Sequence, residues 1–190
     1  MVTTPSYTRT ARWLHWAIAV LIVCMLAGGL LMRFLPEDNF SLTVLVYNWH
    51  KTIGILILVL SVVRLVWRLI HKPPVHDANI KGWEVLLSKA VHVFFYVFMI
   101  GMPLIGWAII STSRFPSKLF NVLPLAKLPG LRNYTGDARD KLNDLLGDIH
   151  EVFAYMAIAL IILHIVAAVK HHREDGVFLR RMLPNKKKVD

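Results

Sequence analysis

Two histidines, His150 and His164, lie 14 residues apart in one apolar stretch near the C-terminus. Fourteen residues are close to four helical turns, so on a helix both imidazoles point to the same side, about 21 Å apart along the axis. That separation is about two-thirds of a hydrocarbon core that is roughly 30 Å thick. A helix with this pattern places one histidine in each leaflet of a membrane.

Two further histidines stand at matching depths in other apolar stretches: His15 matches His164, and His50 matches His150. Imidazole is a common axial ligand of haem iron, and two imidazoles leave the iron with no open position. The pattern predicts two b-type haems, one bound by His15 and His164 in the inner leaflet and one by His50 and His150 in the outer leaflet. The competing interpretation, histidines at wet helix ends, fits His164 poorly because an ionisable residue inside an apolar run needs a buried partner.

Three further residues stand 14 positions after a histidine: Gly29 after His15, Arg64 after His50 and Gly106 after His92. Gly29 and Gly106 fall at the outer haem level, where glycine lets a flat macrocycle approach the backbone. Arg64 falls at the inner level, where a guanidinium can pair with a haem propionate. Each glycine taken alone also fits ordinary helix packing in a membrane.

His92 is a fifth histidine inside an apolar stretch. Three roles remain open for it: an alternative inner ligand, a propionate partner, or a proton-handling group beside a quinone. His171 stands at the inner end of the last stretch, where it is either a solvated tail residue or part of a quinone site. We assign no catalytic residue from the sequence.

Composition places these histidines in a membrane protein. The 190 residues are 56% hydrophobic and only 18% charged, which is typical of a small polytopic membrane protein and unusual for a soluble domain. The net charge of +10 does not indicate nucleic-acid binding, because the basic residues cluster between apolar runs. Cys24 is the only cysteine, which excludes disulfides and thiolate metal clusters within the chain.

Four apolar stretches predict membrane-spanning helices, at about residues 11–34, 44–70, 85–111 and 148–172. We therefore expect an all-α transmembrane four-helix bundle that forms a single membrane domain over residues 1–190. An outer loop is expected at residues 112–147, irregular at first and then amphipathic from Asp137 to Leu146 as an extension of the fourth helix. Residues 173–190 are expected to form a cytoplasmic tail, of which residues 177–183 are expected to lie along the inner membrane surface.

The orientation follows from the distribution of lysine and arginine. Fourteen of the 22 basic residues lie in the N-terminal tail, the connection between the second and third helices, the C-terminal tail and the adjoining helix ends. The positive-inside rule then places both termini in the cytoplasm of a bacterial cell, with the chain in the inner membrane. The outer loop is also fairly basic, and together with Lys51 it is expected to concentrate anions at the outer face.

Several segments resemble the bacterial cytochrome b561 family, which is related to the b-type subunits that anchor nickel hydrogenases and formate dehydrogenases. They are Arg12–Trp13–Leu14–His15–Trp16, Trp49–His50–Lys51–Thr52–Ile53–Gly54, Pro103–Leu104–Ile105–Gly106, His150–Glu151, Leu163–His164 and Leu179–Arg180–Arg181–Met182–Leu183–Pro184. The resemblance extends from about Tyr7 to Met182. It implies a four-helix bundle that holds two b haems on the same four histidines.

The resemblance also implies a function in electron transfer. Some members of the family resemble superoxide oxidases, which pass electrons from a donor at the periplasmic face, superoxide, to ubiquinone near the cytoplasmic face. Others are haem-bearing membrane anchors for a dehydrogenase or a periplasmic cytochrome. We expect the first role, an oxidoreductase with membrane lipid, quinone and a periplasmic donor as partners, and keep the anchor subunit as the alternative. A third and weaker alternative is a haem-free transporter or scaffold.

Overall fold

Four long helices make up most of the protein in a computed structural model that describes residues 7–36, 38–71, 82–176 and 182. Helix α1 spans Arg9–Leu31 and ends in a 3-10 turn at Met32–Phe34, and α2 spans Phe40–Ile70. Helix α3 spans Gly82–Thr112, and α4 spans Gly136–Asp175. All four are long and apolar enough to cross a membrane.

Local capping determines where several of these helices begin and end. The Thr8 hydroxyl accepts a hydrogen bond from the Ala11 amide, and the Asn39 side chain accepts one from the Leu42 amide, so α1 and α2 each start with a satisfied N-cap. Helix α4 ends at Gly176, whose left-handed backbone (φ 69°) lets its amide donate to the His172 carbonyl. Pro103 lies within α3, and the helix continues through it.

The helices pack in chain order, α1 on α2, α2 on α3 and α3 on α4. Among the described residues, α4 does not pack closely against α1 or α2. Large apolar side chains face outward, as Leu163 and Val93 do, whereas Ser61 and Thr52 are buried inside the bundle. This inverted distribution is expected when the surrounding solvent is lipid.

The connection between α3 and α4 contains more structure than the sequence predicts. Two short antiparallel strands, β1 (Lys118–Leu119) and β2 (Leu123–Pro124), form a hairpin, and a 3-10 turn follows at Leu131–Asn133. Phe120 and Asn121 at the hairpin turn both have positive φ. The sequence predicts irregular structure here. Strands of two residues are too short to show a hydrophobic periodicity, so the hairpin could not be predicted from the sequence pattern.

The fourth helix is much longer than its predicted membrane span. It begins at Gly136, so the amphipathic stretch from Asp137 to Leu146 belongs to it as predicted, and the connection is correspondingly shorter than residues 112–147. Its C-terminal end continues to Asp175, past the predicted start of the tail. The terms inner and outer are used below as labels that follow the predicted orientation, with the C-terminal end of α4 as the inner end. The prediction of a surface segment at residues 177–183 falls outside the described residues except at Met182.

Candidate haem-binding site

The bundle brings the four histidines together in the two pairs that their depths predict. The ring centres of His15 on α1 and His164 on α4 are 6.5 Å apart, with an angle of 69° between the ring planes. Those of His50 on α2 and His150 on α4 are 6.3 Å apart, with an angle of 64°. Each pair therefore joins one histidine of α4 to one histidine of a helix, α1 or α2, that α4 does not pack closely against.

The spacing within each pair fits two axial ligands on one iron. A bond between a metal and an imidazole nitrogen is about 2 Å long, and the ring centre lies roughly 1 Å behind the nitrogen, so two opposed imidazoles have centres about 6 Å apart. Among the described residues there is no group of three or more His, Cys, Asp or Glu that could hold a bare metal ion. Paired imidazoles suit an iron whose other four ligands come from a macrocycle.

The hydrogen bonding of the histidines also fits such a ligand. The buried Nδ1 atoms of His15, His50 and His150 have no hydrogen-bond partner among the described residues. A buried polar nitrogen without a partner costs free energy unless something satisfies the ring. Opposed imidazoles with uncommitted nitrogens are consistent with a metal shared between them.

Two glycines face the outer histidine pair from the other helices. A Cβ at Gly29 would be 3.7 Å from His50 Cε1, and a Cβ at Gly106 would be 3.5 Å from His150 Cε1. A methyl group would therefore make ordinary contact, whereas a larger side chain would meet the imidazole ring. The structure thus places both glycines at the outer pair, as the 14-residue step predicts.

At the inner pair, His92 competes with His15 for the position opposite His164. The His92 ring centre is 6.2 Å from that of His164, at 88°, and His92 Nδ1 lies 2.6 Å from the Ser88 carbonyl oxygen. However, His92 belongs to α3, which packs directly on α4, whereas a macrocycle between two opposed imidazoles requires the helices that carry them to stand apart. His15 belongs to α1, which does not pack closely on α4, so the geometry favours His15 as the partner of His164.

The two remaining predicted site residues, Arg64 and His171, lie in different parts of the bundle. Arg64 lies close enough to His15 and His164 to interact with them electrostatically, and its guanidinium is 5.9 Å from the centre of the Tyr96 ring. His171 lies at the inner end of α4, where its Nδ1 is 3.6 Å from a carboxylate oxygen of Glu174. The structure therefore groups Arg64 with the inner histidines and leaves His171 in a local pair on α4.

Sequence reasoning missed a second arginine at the inner level. The Arg68 guanidinium is 5.7 Å from the Tyr96 ring centre, on the same ring that Arg64 contacts. The available signals were the four-residue spacings from Arg64 to Arg68 and from His92 to Tyr96, each of which places two side chains on one helix face.

The outer end is closed by the hairpin, which hydrogen-bonds to α2 next to His50. The backbone amide of Phe120 donates to the Thr52 hydroxyl (2.9 Å), and the side-chain amide of Asn48 donates to the side-chain oxygen of Asn121 (2.9 Å). Lys51 donates to the Ser117 hydroxyl (2.9 Å) and is half-buried, so its ammonium group serves the hairpin and is a weaker candidate for attracting anions than the sequence suggests.

Four apolar spans that carry two facing histidine pairs are the arrangement of a membrane-embedded cytochrome. The chain belongs to the prokaryotic cytochrome b561 family, whose profile matches residues 6–185. It is therefore a membrane electron-transfer protein, and membership of the family implies haem b as its cofactor.

Curated relatives cover nearly the whole chain at low identity. Cytochrome b561 homolog 1 of Escherichia coli (strain K12) is 25% identical over 185 residues, which are 95% of this chain and 98% of the relative. Cytochrome b561 homolog 2 of the same organism is 28% identical over 177 residues, 89% of this chain and 86% of the relative. A Yersinia pestis protein named probable superoxide oxidase CybB is 28% identical over 177 residues, 92% of this chain and 93% of the relative.

Proposed function

We propose that this membrane cytochrome binds two b haems and transfers electrons across the membrane, from superoxide at the outer face to ubiquinone near the cytoplasmic face. The observation that carries the proposal is the pair of facing imidazoles at each of two levels along α4. The two levels are about 21 Å apart by helical rise, a distance that spans most of the hydrocarbon core. The relative named probable superoxide oxidase supports the choice of donor.

In this proposal, His15 and His164 hold the inner haem, and His50 and His150 hold the outer haem. When bound, the haems would supply one-electron carriers. Gly29 and Gly106 keep the space beside the outer pair clear of side chains, and Arg64 supplies a positive charge for an inner propionate.

The reaction balances with two donor molecules for each acceptor. Two superoxide anions lose one electron each and leave as two molecules of oxygen. One ubiquinone takes up those two electrons and two protons to become ubiquinol. His92, beside the inner pair, and His171, at the inner end of α4, are the ionisable groups proposed to pass protons from the cytoplasmic side.

The proposed donor is an anion, and the outer end of the bundle offers exposed cations for it. Lys118, Arg132 and Lys141 are exposed, whereas Arg114 and Arg139 each pair with Asp140. Exposed cations raise the local concentration of a small anion and its rate of encounter. At this end of the bundle, steering of superoxide is therefore assigned to Lys118, Arg132 and Lys141 in preference to Lys51.

The test is a reconstitution with purified holoprotein. Enzymatically generated superoxide should reduce the b haems, and added short-chain ubiquinone should reoxidise them with formation of quinol. Excess superoxide dismutase should abolish both steps, which serves as the control for the donor. If protein carrying two haems forms no quinol from superoxide, the proposed function is wrong.

One observation favours a second function, that of a membrane anchor for a redox partner. The outer hairpin region exposes Phe115, Phe120, Val122 and Leu123, each more than half exposed. An apolar patch beside the outer histidine pair suits a docked protein. An anchor would form no quinol with superoxide and would do so only with a reduced dehydrogenase or periplasmic cytochrome, which the same reconstitution distinguishes.

A further inference from the structure

The outer hairpin, residues 117–125, docks on α2 well inside that helix. Its hydrogen bonds reach Asn48, Lys51 and Thr52, each over a distance of 2.9 Å. These residues stand 8 to 12 positions after the start of α2 at Phe40, which corresponds to about 12–18 Å of helix. Helix α2 therefore continues outward beyond the hairpin for about two turns.

The part of α2 outward of the hairpin has the surface of a lipid-facing helix. Residues 40–47 contain no Lys, Arg, Asp or Glu. Phe40, Leu45 and Tyr47 are exposed there. Exposed apolar side chains on a membrane-spanning helix face lipid, so the outer leaflet extends past the level at which the hairpin docks.

The levels of the histidines indicate the same depth. With both pairs inside a hydrocarbon core of roughly 30 Å and about 21 Å apart along α4, His50 lies within about 9 Å of the outer boundary of that core. Asn48 and Thr52 flank His50 by two residues on either side, which is about 3 Å of helix. The hairpin therefore docks near the hydrocarbon boundary and not in the water beyond the helix ends.

The exposed surface of the hairpin is apolar and continuous with that of α2. Lys118 is the only charged residue of the hairpin. Phe120, Val122 and Leu123 are each more than half exposed. The Phe120 ring makes an edge contact with the ring of Trp49, which is itself exposed on α2, with the ring centres 6.3 Å apart. Aromatic rings at such a position are typical of the interface between membrane and water.

The backbone of the hairpin meets the condition that lipid imposes. Irregular backbone is tolerated at membrane depth only where the protein itself supplies the hydrogen-bond partners. The Val122 amide donates to the Leu119 carbonyl (3.0 Å), and the Leu125 amide donates to the Ser117 carbonyl (2.9 Å). The Phe120 amide donates to a hydroxyl group of α2. These amides therefore need no water.

The hairpin also provides a partner for a charge on α2. Lys51 is the first charged residue of that helix and is half-buried. A cation inside a membrane span requires a polar partner, and the Ser117 hydroxyl accepts a hydrogen bond from the Lys51 ammonium group. The hairpin thus supplies at this depth what water would supply at the surface.

We propose that the hairpin is immersed in the outer leaflet, with Phe120, Val122 and Leu123 among phospholipid acyl chains and Lys118 extending to the headgroups and water. A docked protein is the other occupant that an apolar patch admits. Lipid is favoured because the patch continues onto the lipid-facing surface of α2 through the contact of Phe120 with Trp49. In this placement the patch is not available to a redox partner.

Single cysteines test the placement in holoprotein reconstituted into phospholipid nanodiscs. Cys24 is the only cysteine, so Cys24→Ala gives a background in which Val122→Cys reports on the hairpin. Val97→Cys on α3 is the lipid-facing reference, and Asn133→Cys, exposed in the same connection as the hairpin, is the water-facing reference. The measurements are the rate of reaction with a membrane-impermeant charged maleimide and cross-linking to phospholipid that carries a photoreactive acyl chain. Haem content verifies that each variant is folded.

Val122→Cys should react several-fold more slowly than Asn133→Cys, at a rate close to that of Val97→Cys, because a charged reagent does not enter the acyl chains. Mass spectrometry should find lipid adducts on residues 117–125. Reaction of Val122→Cys as fast as that of Asn133→Cys would overturn the proposal, because the hairpin would then lie in water and its patch would remain open to a redox partner. Slow reaction without lipid adducts would also overturn it, because a second copy of the chain would then cover the patch.

Discussion

At the scale of single residues, each histidine pair links helices that do not otherwise pack closely. His164 and His150 on α4 face His15 on α1 and His50 on α2 across ring-centre distances of 6.5 and 6.3 Å. In the proposed holoprotein, a metal-bound macrocycle fills the space between these helices, so binding of the group and assembly of the bundle are coupled.

Replacing one α4 histidine by alanine should therefore remove one haem. His164→Ala should lose the inner haem and His150→Ala the outer haem, so each variant should retain about half of the haem found in the unaltered protein, because each iron loses one of two protein ligands. Haem quantification and reduced-minus-oxidised spectra measure this. His71→Ala is the control, because His71 stacks on Trp67 at the end of α2 and should retain both haems.

A second pair of variants decides between His15 and His92. His15→Ala should lose the inner haem, whereas His92→Ala should retain it with a modest spectral shift, because α3 packs directly on α4. The measurement is again haem content for each variant. Loss of the inner haem from His92→Ala alone would reassign the ligand.

At the outer glycines, the size of a substituted side chain should determine whether the outer haem is retained. Gly106→Ala should retain the outer haem because its Cβ would lie 3.5 Å from His150 Cε1, an ordinary contact. Gly106→Leu must displace the imidazole or the macrocycle, at a cost of about 1–3 kcal/mol, and should weaken haem retention during purification. Gly29→Leu should act similarly through His50. Equal haem retention by the alanine and leucine variants would show that Gly106 serves only helix packing.

At the scale of elements, buried polar side chains dock the outer hairpin on α2. Thr52 is 3% exposed, donates to the Asn48 carbonyl and accepts from the Phe120 amide. The interaction joins the turn of the hairpin to the helix that carries His50, two residues earlier in the chain. The hairpin is therefore anchored on the segment of α2 that carries His50.

Thr52→Val should loosen the hairpin without removing a haem. The change leaves the Phe120 amide without its acceptor, at a cost of about 1–2 kcal/mol. Hydrogen exchange should become faster in residues 117–125, with haem content unchanged. Thr43→Val is the matched control, because among the described residues the Thr43 hydroxyl donates to the carbonyl of Asn39, the N-cap of α2, and has no bond to the hairpin. Equal exchange in both variants would show that Thr52 does not hold the hairpin.

At the scale of the whole molecule, opposite ends of the bundle should respond differently to loss of charge. Replacing Lys118, Arg132 and Lys141 by glutamine should lower the rate of haem reduction by superoxide, on the order of tenfold at low salt, and should flatten its salt dependence. Dithionite-reduced spectra should not change. Stopped-flow measurements at several ionic strengths provide the data.

The matched control removes the same charge from the other end. Arg9, Lys89 and Arg173 are exposed there, and their replacement by glutamine should leave the rate with superoxide unchanged. If both triple variants slow equally, the effect comes from net charge. If neither slows, the donor is neutral or binds elsewhere, and a docked redox partner becomes the better explanation.

Much of this molecule is determined by local sequence patterns. Apolar runs of membrane-spanning length specify the four helices, because lipid requires each backbone to satisfy its own hydrogen bonds within the segment. The 14-residue step from His150 to His164 likewise determines a common face and an axial separation, since helical geometry is independent of the neighbours. These properties could be predicted, together with the levels of His15 and His50 relative to the two histidines of α4 and the placement of Gly29 and Gly106 beside the rings of His50 and His150.

Only the tertiary structure decided which helices touch and which stay apart. Depth alone allowed both His15 and His92 to face His164, and the direct packing of α3 on α4 supports the proposal that His15 is the ligand. The sequence likewise did not indicate that Lys51 would donate a hydrogen bond to Ser117, or that Arg64 and Arg68 would both lie within about 6 Å of the Tyr96 ring centre. These contacts join residues distant in the chain, and their geometry depends on helix packing, which no local periodicity encodes.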